Sequence, residues 1–280
     1  MPTFAAAGPV PVVVDVPFGN LHVVAGERDD VVVTVLPADP DKAGAVRAAG
    51  ETRVERRGDT VAIVYPAAWR QYVLPFSAGG ARVTVELPAG SHLSGKAGTV
   101  YAEGPLGTVE LTLNGGDARL DDVERLDLTV SAGSVVAGRV TQCAHVRASA
   151  GHVRLAEVAG DSTVRTRAGG ATVGHVTGTL DVTCVHGDVV VGTARGALTA
   201  KAASGGIRVE HAEHGALTLS TSYGSIEVGV PQGTVAWLDL TSRHGTVRNQ
   251  LPPTDAPVDG QPVVEVRAGT GYGDVLVRRP

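Results

Sequence analysis

The stretch that decides the fold covers residues 151–191 and reads GHVRLAEVAGDSTVRTRAGGATVGHVTGTLDVTCVHGDVVV. It contains three glycines spaced 18 residues apart, Gly151, Gly169 and Gly187, each followed by small or apolar residues at the second and fourth positions. Alternation with a period of two is the pattern of a strand with one buried face. Its recurrence at a fixed interval predicts a repeat architecture in which each repeat is one coil of a solenoid.

The glycine pattern continues through the C-terminal two-thirds of the chain. Intervals of 17 to 19 residues link successive glycines from Gly98 to Gly224, and intervals of 21 and 28 residues then lead to Gly245 and Gly273. When the repeats are stacked, small and apolar residues align in columns two and four positions after the glycine, and five and seven positions before it. One coil of this size cannot close a core, so neighbouring coils must stack on each other.

The prediction is an all-β protein, a single-chain parallel β-solenoid (β-helix) with turns of about 18 residues. Right-handed crossovers dominate parallel sheets and favour a right-handed coil, although a turn of this length also suits a left-handed coil of hexapeptides. Residues 1–90 are interpreted as a β-rich N-terminal portion and cap, and residues 91–280 as the regular solenoid with a Pro-rich insertion at 251–262. We expect the two parts to form one continuous domain.

One short helix is predicted in the N-terminal portion. Asp39 belongs to the residue types that cap helix N-termini, and Pro40 suits the first helical position. The Ala-rich segment that follows predicts a helix running to about Ala49.

Charge and hydropathy argue against two classes of partner. The net charge is −5 with acidic and basic residues interspersed, whereas a nucleic-acid site needs clustered Lys and Arg. No apolar run approaches the roughly 18 residues of a membrane span, and the N-terminus lacks the basic segment of a signal peptide.

Two cysteines, Cys143 and Cys184, fall in different columns of the repeat, and Cys184 is expected in the core rather than in a disulfide. We therefore expect a cytoplasmic protein.

The residues immediately before the repeat glycines form what we call the corner column, because they stack at one corner of successive coils. The column changes character along the chain, from alanine to polar and aromatic residues. It reads Ala132, Ala150, Ala168, His186, Ser204, Tyr223, His244 and Tyr272.

Two interpretations of the corner column stay open. It could bind a ligand, or act by acid/base chemistry through candidate catalytic residues His186, Tyr223, His244 and Tyr272, since histidine titrates near neutral pH. Alternatively, it is a solvated turn column whose bulky residues cover one end of the coil.

His186 and His244 would be three coils apart, roughly 14 Å, so the histidines do not suggest a metal site. We expect no metal and no cofactor.

Further candidate binding residues lie outside the corner column. Arg147, Arg165 and Lys201 share an outward column and could grip an anionic polymer, although interleaved acidic residues also fit an ordinary charge-balanced face. Trp69 and Tyr72 fall in a predicted loop, where they could anchor a ligand or partner or cover the flank of the coil. Glycosidases need two carboxyls about 5–9.5 Å apart, and no two acids on adjacent coils share the column after the glycine.

Three stretches carry a family resemblance. They are Ala68–Tyr72 with the following Gly-Gly pair and strand Val83–Gly90, Ala236–Leu240 leading into Gly245–Asn249, and Tyr272–Val277. With the repeat, they resemble the bacterial "putative adhesin", or toastrack-like, β-strand-repeat domains of unknown function. The resemblance implies a β-helical fold and, for some members, a place in cell-envelope stress systems. It implies no catalytic residues.

The sequence as a whole favours a non-enzymatic scaffold or binding module of unknown specificity. Its partner would be an unidentified protein or small molecule, and a solenoid edge or face could also give a homodimer. The alternative is an enzyme that acts on a small metabolite or modified peptide through the His/Tyr residues of the corner column. A regular coil with no recognisable catalytic constellation motivates the first hypothesis.

Overall fold

The computed structural model describes residues 2–66, 80–252 and 261–280 of the chain. The chain divides into two compact units, residues 1–139 and 140–280. Almost all of the regular structure is β, as the glycine repeat predicts. The strands of the first unit and its helix are β1 (Thr3–Ala5), β2 (Pro11–Gly26), β3 (Asp30–Pro37), α1 (Ala43–Glu51), β4 (Arg53–Arg57), β5 (Thr60–Val64), β6 (Ala81–Pro88), β7 (His92–Leu113) and β8 (Ala118–Ala132).

The division between the units falls within β9 (Val135–Ala150). The second unit continues with short strands that alternate around the coil. They are β10 (Val153–Val158), β11 (Asp161–Ala168), β12 (Ala171–Val176), β13 (Thr179–His186), β14 (Val189–Arg195), β15 (Ala197–Ser204), β16 (Ile207–Tyr223), β17 (Ile226–Gly229), β18 (Val235–His244), β19 (Val247–Asn249), β20 (Val263–Tyr272) and β21 (Val275–Arg278).

The first unit combines parallel and antiparallel pairing. Strand β2 pairs in parallel with β5, β6 and β7, and β7 pairs in parallel with β8. Antiparallel pairs join β1 to β3, β3 to β6 and β4 to β5. The N-terminal portion is therefore rich in β structure, as predicted, but it departs from the pure parallel ladder of the later repeats.

Helix α1 begins later than the sequence suggests, so the predicted cap at Asp39 and first position at Pro40 are wrong. The helix runs over Ala43–Glu51 with Lys42 at the N-cap, and the Lys42 side chain makes no capping hydrogen bond. The Asp39 carboxylate makes its contacts before the helix begins. It accepts a hydrogen bond from the Asp41 backbone N–H at 3.1 Å and pairs with the Lys42 ammonium at 3.1 Å. These two contacts hold the pKa of Asp39 below its ordinary value, the Lys42 contact contributing more.

In the second unit, parallel register follows the repeat. Val153 pairs with Ala171, Ala171 with Val189, and Val189 with Ile207. Each of these steps is 18 residues along the chain. Most of the residues that the stacked repeats predict to face inward are buried; Val153, Val189 and Ile207 are at most 1% exposed, and Val247 on β19 is an exception at 44%. The apolar columns are therefore confirmed as the core of this unit.

Corner glycines are required because neighbouring coils approach closely there. Gly169 has φ of +127°, and a Cβ at this position would lie 1.9 Å from the carbonyl oxygen of Gly151. No L-side chain fits that space or that backbone region without strain. The regular interval of the glycines is thus the spacing at which the backbone turns each corner.

A column of mostly buried hydroxyl and thiol groups, interrupted by alanine on two coils, makes hydrogen bonds at several corners. The Cys184 thiol is buried, as predicted, and donates to the carbonyl oxygen of Gly169 at 3.1 Å. These groups satisfy carbonyls that the turn would otherwise leave without a partner. Hydroxyls in the same column donate to corner carbonyls at Thr166 (Gly169, 3.0 Å), Thr221 (Gly205, 2.9 Å), Thr270 (Gly224, 2.8 Å) and Ser242 (Gly273, 2.8 Å).

The last two strands do not follow chain order in space. Strand β20 pairs with β16 on one side and with β18 on the other, and β21 lies between β17 and β19 in the same way. The expectation that consecutive repeats are always spatial neighbours is therefore wrong at this end. The chain can return because the longest glycine interval, 28 residues, separates Gly245 from Gly273. As a result, β18 is the outermost strand on its wall of the coil.

Within the part of the chain that the structure describes, the one helix is α1, with nine residues. No helix there is long and apolar enough to cross a bilayer.

Candidate functional site

The corner column forms a continuous series of neighbouring side chains on the second unit. His186 pairs with Ser204, and Ser204 with Tyr223. Tyr223 then pairs with Tyr272, and Tyr272 with His244. The structure thus brings all five predicted residues together, but with Tyr272 ahead of His244. His186 and His244 are four strand steps apart, so the three coils expected from chain order are wrong.

Three rings of the corner column make an aromatic stack, which we define as Tyr223, Tyr272 and His244. The centroids of Tyr223 and Tyr272 are 5.0 Å apart with an interplanar angle of 4°. Those of His244 and Tyr272 are 4.5 Å apart at 16°. These distances match the spacing of adjacent strands, about 4.8 Å, and lie in the range of favourable ring pairs. Parallel register alone therefore positions the stack.

The face-to-face geometry decides what these rings can do for one another. A hydrogen bond between imidazole and phenol lies in the plane of the rings, whereas stacked rings direct their polar edges sideways. The Tyr223 and Tyr272 side chains are well exposed, with 60% and 51% of the residue surface accessible. The stack therefore offers polar edges and apolar faces to a ligand, not an internal proton relay.

An open groove of about 550 Å³ runs beside the aromatic stack. Its floor is formed by Gly269 and Gly271, which lack side chains where neighbouring strands carry Thr241 and Arg243. A Cβ added at Gly269 would meet only the Thr241 hydroxyl, at 4.0 Å, so the space above it is empty. The lining residues are Thr221, Ser222, Tyr223, Thr241, Arg243, His244, Gly269, Thr270, Gly271 and Tyr272.

Sequence reasoning missed Arg243 and the two floor glycines. The available signal was the position of Gly269 and Gly271, which precede the repeat glycine Gly273 at outward positions where other repeats carry larger residues. This signal could not be interpreted from the sequence, because the groove depends on β20 lying between β16 and β18. Stacking in chain order places Gly269 beside Thr241 but not beside Ser220, its neighbour on β16.

The corner column also contains a gap. Ser204 lies between His186 and Tyr223, so two strand steps, roughly 9.6 Å, separate the latter residues along the column. Serine fills little of this space, and the Tyr223 face that is turned away from Tyr272 points toward it. We call this position the open rung. All three residues are exposed.

Aspartates that follow the corner glycines link neighbouring coils. The Asp188 carboxylate accepts a hydrogen bond from the Gly206 N–H at 2.7 Å, and Asp274 accepts one from the Thr246 N–H at 2.8 Å. The contact with Thr246 holds the pKa of Asp274 below its ordinary value. Asp188 follows the corner glycine Gly187 and comes two residues after His186 in the chain.

The predicted basic residues lie in one outward column. Arg147 pairs with Arg165, Arg165 with Thr183, and Thr183 with Lys201. This column runs on the same strands as the corner column but three positions earlier in the chain. The predicted anchors Trp69 and Tyr72 lie outside the described residues.

The repeat registers, the corner glycines and the coil they build agree with a family comparison. The family model described as Toastrack DUF4097 matches residues 18–250. The chain belongs to the Toastrack family. The match to the Toastrack model ends at Gln250, so β20 and β21 lie beyond it although they pair between strands inside it.

Solved structures similar to this Toastrack chain include two "putative adhesins". One, from Parabacteroides merdae, is 12% identical, with 99% of this chain and 95% of that chain covered and a TM-score of 0.38. The other, from Parabacteroides distasonis, is 14% identical with the same coverage and TM-score. A "putative cell adhesion protein" from Clostridium sporogenes is 10% identical over 100% of this chain and 98% of that one, with a TM-score of 0.30. No curated protein matches the chain.

Proposed function

We propose that this Toastrack chain is a non-enzymatic binding module in which a right-handed coil, with turns of about 18 residues, serves as a rigid scaffold. Family membership supports a repeat scaffold of this kind. The resemblance noted above supports a link to cell-envelope or stress systems. Cys143 and Cys184 are both free thiols, which supports a reducing, cytoplasmic location.

The observation that carries the proposal is the open rung beside the aromatic stack. A planar ring placed above Ser204 would lie about one strand spacing, roughly 4.8 Å, from Tyr223 and from His186. Tyr223 and Tyr272 already stack at 5.0 Å, so the added ring would continue an existing series. The ligand class is therefore a molecule with an exposed aromatic or heteroaromatic ring.

Polar groups around the open rung favour a ring with hydrogen-bond donors. The Ser204 hydroxyl lies at its base, and the Asp188 carboxylate, which accepts a hydrogen bond from the Gly206 N–H, lies just past the corner. Carboxylates only accept hydrogen bonds, so an N–H on the ring is favoured over a lone acceptor. The groove next to Tyr223 would hold the remainder of the ligand, with the Ser222 and Thr241 hydroxyls available for a polar group.

The experiment compares two ring sources by saturation-transfer NMR: N-acetyl-tryptophanamide for a peptide side chain, and adenosine for a small molecule. We expect transfer from the wild-type chain to at least one probe. Ser204→Tyr places the chain's own ring in the open rung and should reduce that transfer several-fold. Ala150→Tyr is the matched control, because it adds a tyrosine to the same column beside Ala168 and leaves Ser204 unchanged. Equal transfer in wild type and Ser204→Tyr, or none to either probe in wild type, contradicts the proposal.

A second candidate is an enzyme that uses the same corner. The observation in its favour is that His244, Tyr272 and Arg243 all line the groove. Such an enzyme would convert a groove-bound metabolite or modified peptide, and His244→Ala would abolish turnover while ligand binding persisted, whereas His186→Ala, four strand steps away, would leave turnover unchanged. Loss of binding and of every phenotype together in these variants supports the binding module instead.

A further inference from the structure

The outer edge of the second unit is incompletely covered. Leu217 and Val266 are 1% and 0% exposed, whereas Leu238, next in the same column on β18, is only half-buried. On the adjoining wall Val275 is fully buried, and its neighbour Val247 on β19 is 44% exposed. Among the described residues, no strand pairs with the outer side of β18 or β19. An open, partly apolar edge of this kind is a template for another strand.

We propose that a second copy of this chain covers this edge, with the two β18 strands pairing antiparallel about a twofold axis at Thr241. A twofold contact uses the same surface on both subunits, so the strand must be complementary to its own reverse. The sequence of β18, VAWLDLTSRH, meets that requirement at three successive levels: charge, size and backbone direction.

Charge complementarity sets the register. With Thr241 opposite itself, Asp239 lies opposite Arg243 of the partner subunit, because both are two residues from the axis. Symmetry then creates this opposite-charge pair twice. Both side chains are exposed on the outward face of β18. Opposite charges directly across neighbouring strands stabilise pairing, and like charges oppose it.

Size complementarity supports the same register. Trp237, which is 62% exposed, would lie opposite the corner glycine Gly245 of the partner subunit, just past the end of β18, where no side chain competes for the space. On the inward face, the half-buried Leu240 would lie opposite Ser242 of the partner subunit. The two apolar interiors would then continue into each other across the axis, which extends burial to Leu238 and Leu240.

Backbone direction allows the pairing. The Val235 N–H donates to the Pro262 carbonyl at 3.0 Å on the β20 side. Backbone groups alternate along a strand, so those of Asp239, Thr241 and Arg243 also point toward β20 and those of Leu238 and Leu240 point to the free edge. Asp239 and Arg243 then fall in non-hydrogen-bonded pairs of the new ladder, where opposite side chains approach most closely.

The experiment is a charge-swap series on the full chain, measured by sedimentation velocity across a dilution series. We expect a wild-type dimer. Asp239→Arg and Arg243→Asp each place like charges across the axis and should raise the dimer dissociation constant about tenfold or more. The double variant should restore dimerisation. An equimolar mixture of the two single variants should also form a heterodimer, because both cross-axis pairs then regain opposite charges.

Controls separate this interface from others and from misfolding. Asp181→Arg reverses an acid in the equivalent outward column on β13, away from the edge, and should leave the dimer intact. If a charge reversal unfolds the chain by circular dichroism, Asp239→Asn and Arg243→Gln replace it and should weaken dimerisation less. A wild-type monomer at every concentration overturns the proposal. So does a dimer that is insensitive to the single variants, or a double variant that fails to recover.

Discussion

Tyr272 stacks on Tyr223 with ring centroids 5.0 Å apart. Tyr223 is 49 residues earlier in the chain, whereas His244, the ring on the other side of Tyr272, is 28 residues earlier. The stack exists because β20 pairs with β16 and β18 at the same time. This insertion also creates the glycine-floored groove and makes β18 the outer edge. Five predictions test the arrangement and the forces that maintain it.

Engineered disulfides report the strand order directly. Ser220, Gly269 and Thr241 are neighbours in that order on the outward face. Adjacent parallel positions are about 4.8 Å apart, inside the Cα range of a disulfide at roughly 4.4–6.8 Å, whereas positions two strands apart are not. We expect Ser220→Cys with Gly269→Cys to oxidise readily, measured by mass spectrometry of non-reduced peptides in a Cys143→Ser background.

The matched control for this prediction is Ser220→Cys with Thr241→Cys, which should stay reduced under the same conditions. Stacking in chain order requires the reverse result, because β18 would then lie directly against β16. Efficient oxidation of the control pair would therefore reject the inserted strand.

Replacing a corner glycine should be severely destabilising. Gly169→Ala adds a methyl group 1.9 Å from the Gly151 carbonyl oxygen at φ of +127°. Backbone strain and overpacking together predict a loss of about 3 kcal/mol or more in unfolding free energy, measured by urea denaturation. Gly269→Ala is the control, since its new methyl group meets open space. A similar loss in both variants would show that the corner contact is not the cause.

The hydrogen bond of the buried Cys184 thiol predicts a contrast between two substitutions at this position. Cys184→Ala removes the hydrogen bond to Gly169 and some packing, and should cost about 1–2 kcal/mol of unfolding free energy. Cys184→Thr introduces the residue found at Thr166 and Thr221 in the same column, and should cost less. If threonine is as destabilising as alanine, the corner hydrogen bond contributes little.

Burial also raises the pKa of the Cys184 thiol. The reactive thiolate is therefore scarce near neutral pH, and access is blocked as well. In a thiol-modification assay on the wild-type chain, a reagent should modify the partly exposed Cys143 first and Cys184 only on unfolding. Equal rates in the native protein would contradict the buried position of Cys184.

The stability contributed by the hydrogen bond from the Thr246 N–H to Asp274 should depend on pH. The Thr246 N–H lowers the pKa of Asp274 below its ordinary value, so the carboxylate contributes stability above its unfolded pKa. That contribution is lost as pH falls through the lower, folded pKa. Asp274→Asn should lower the urea midpoint at pH 7, and the gap from wild type should close in strong acid. A gap that is the same at both pH values counts against the charged hydrogen bond.

Much of the fold was predictable because a coil imposes its period on the chain. The inward columns, such as Val153, Ala171 and Val189, follow from alternation and glycine spacing alone. The helix start at Ala43 was not predictable from Asp39, because that carboxylate bonds to Asp41 and Lys42 before the helix begins. Local propensity identifies capping residues but does not decide which nearby donor they bind.

The membership of the corner column was likewise readable from the sequence, and its order was not. His186, Ser204 and Tyr223 stack in chain order because each interval matches one coil. Past Gly245, the long connection removes that constraint, and pairing energy alone selects the position of the last strands. The sequence by itself therefore determined the repeat, its core and the residues at the corner. Only the tertiary structure placed Tyr272 between Tyr223 and His244, since a strand with apolar residues on its inward face is most completely buried when it has a neighbour on each side.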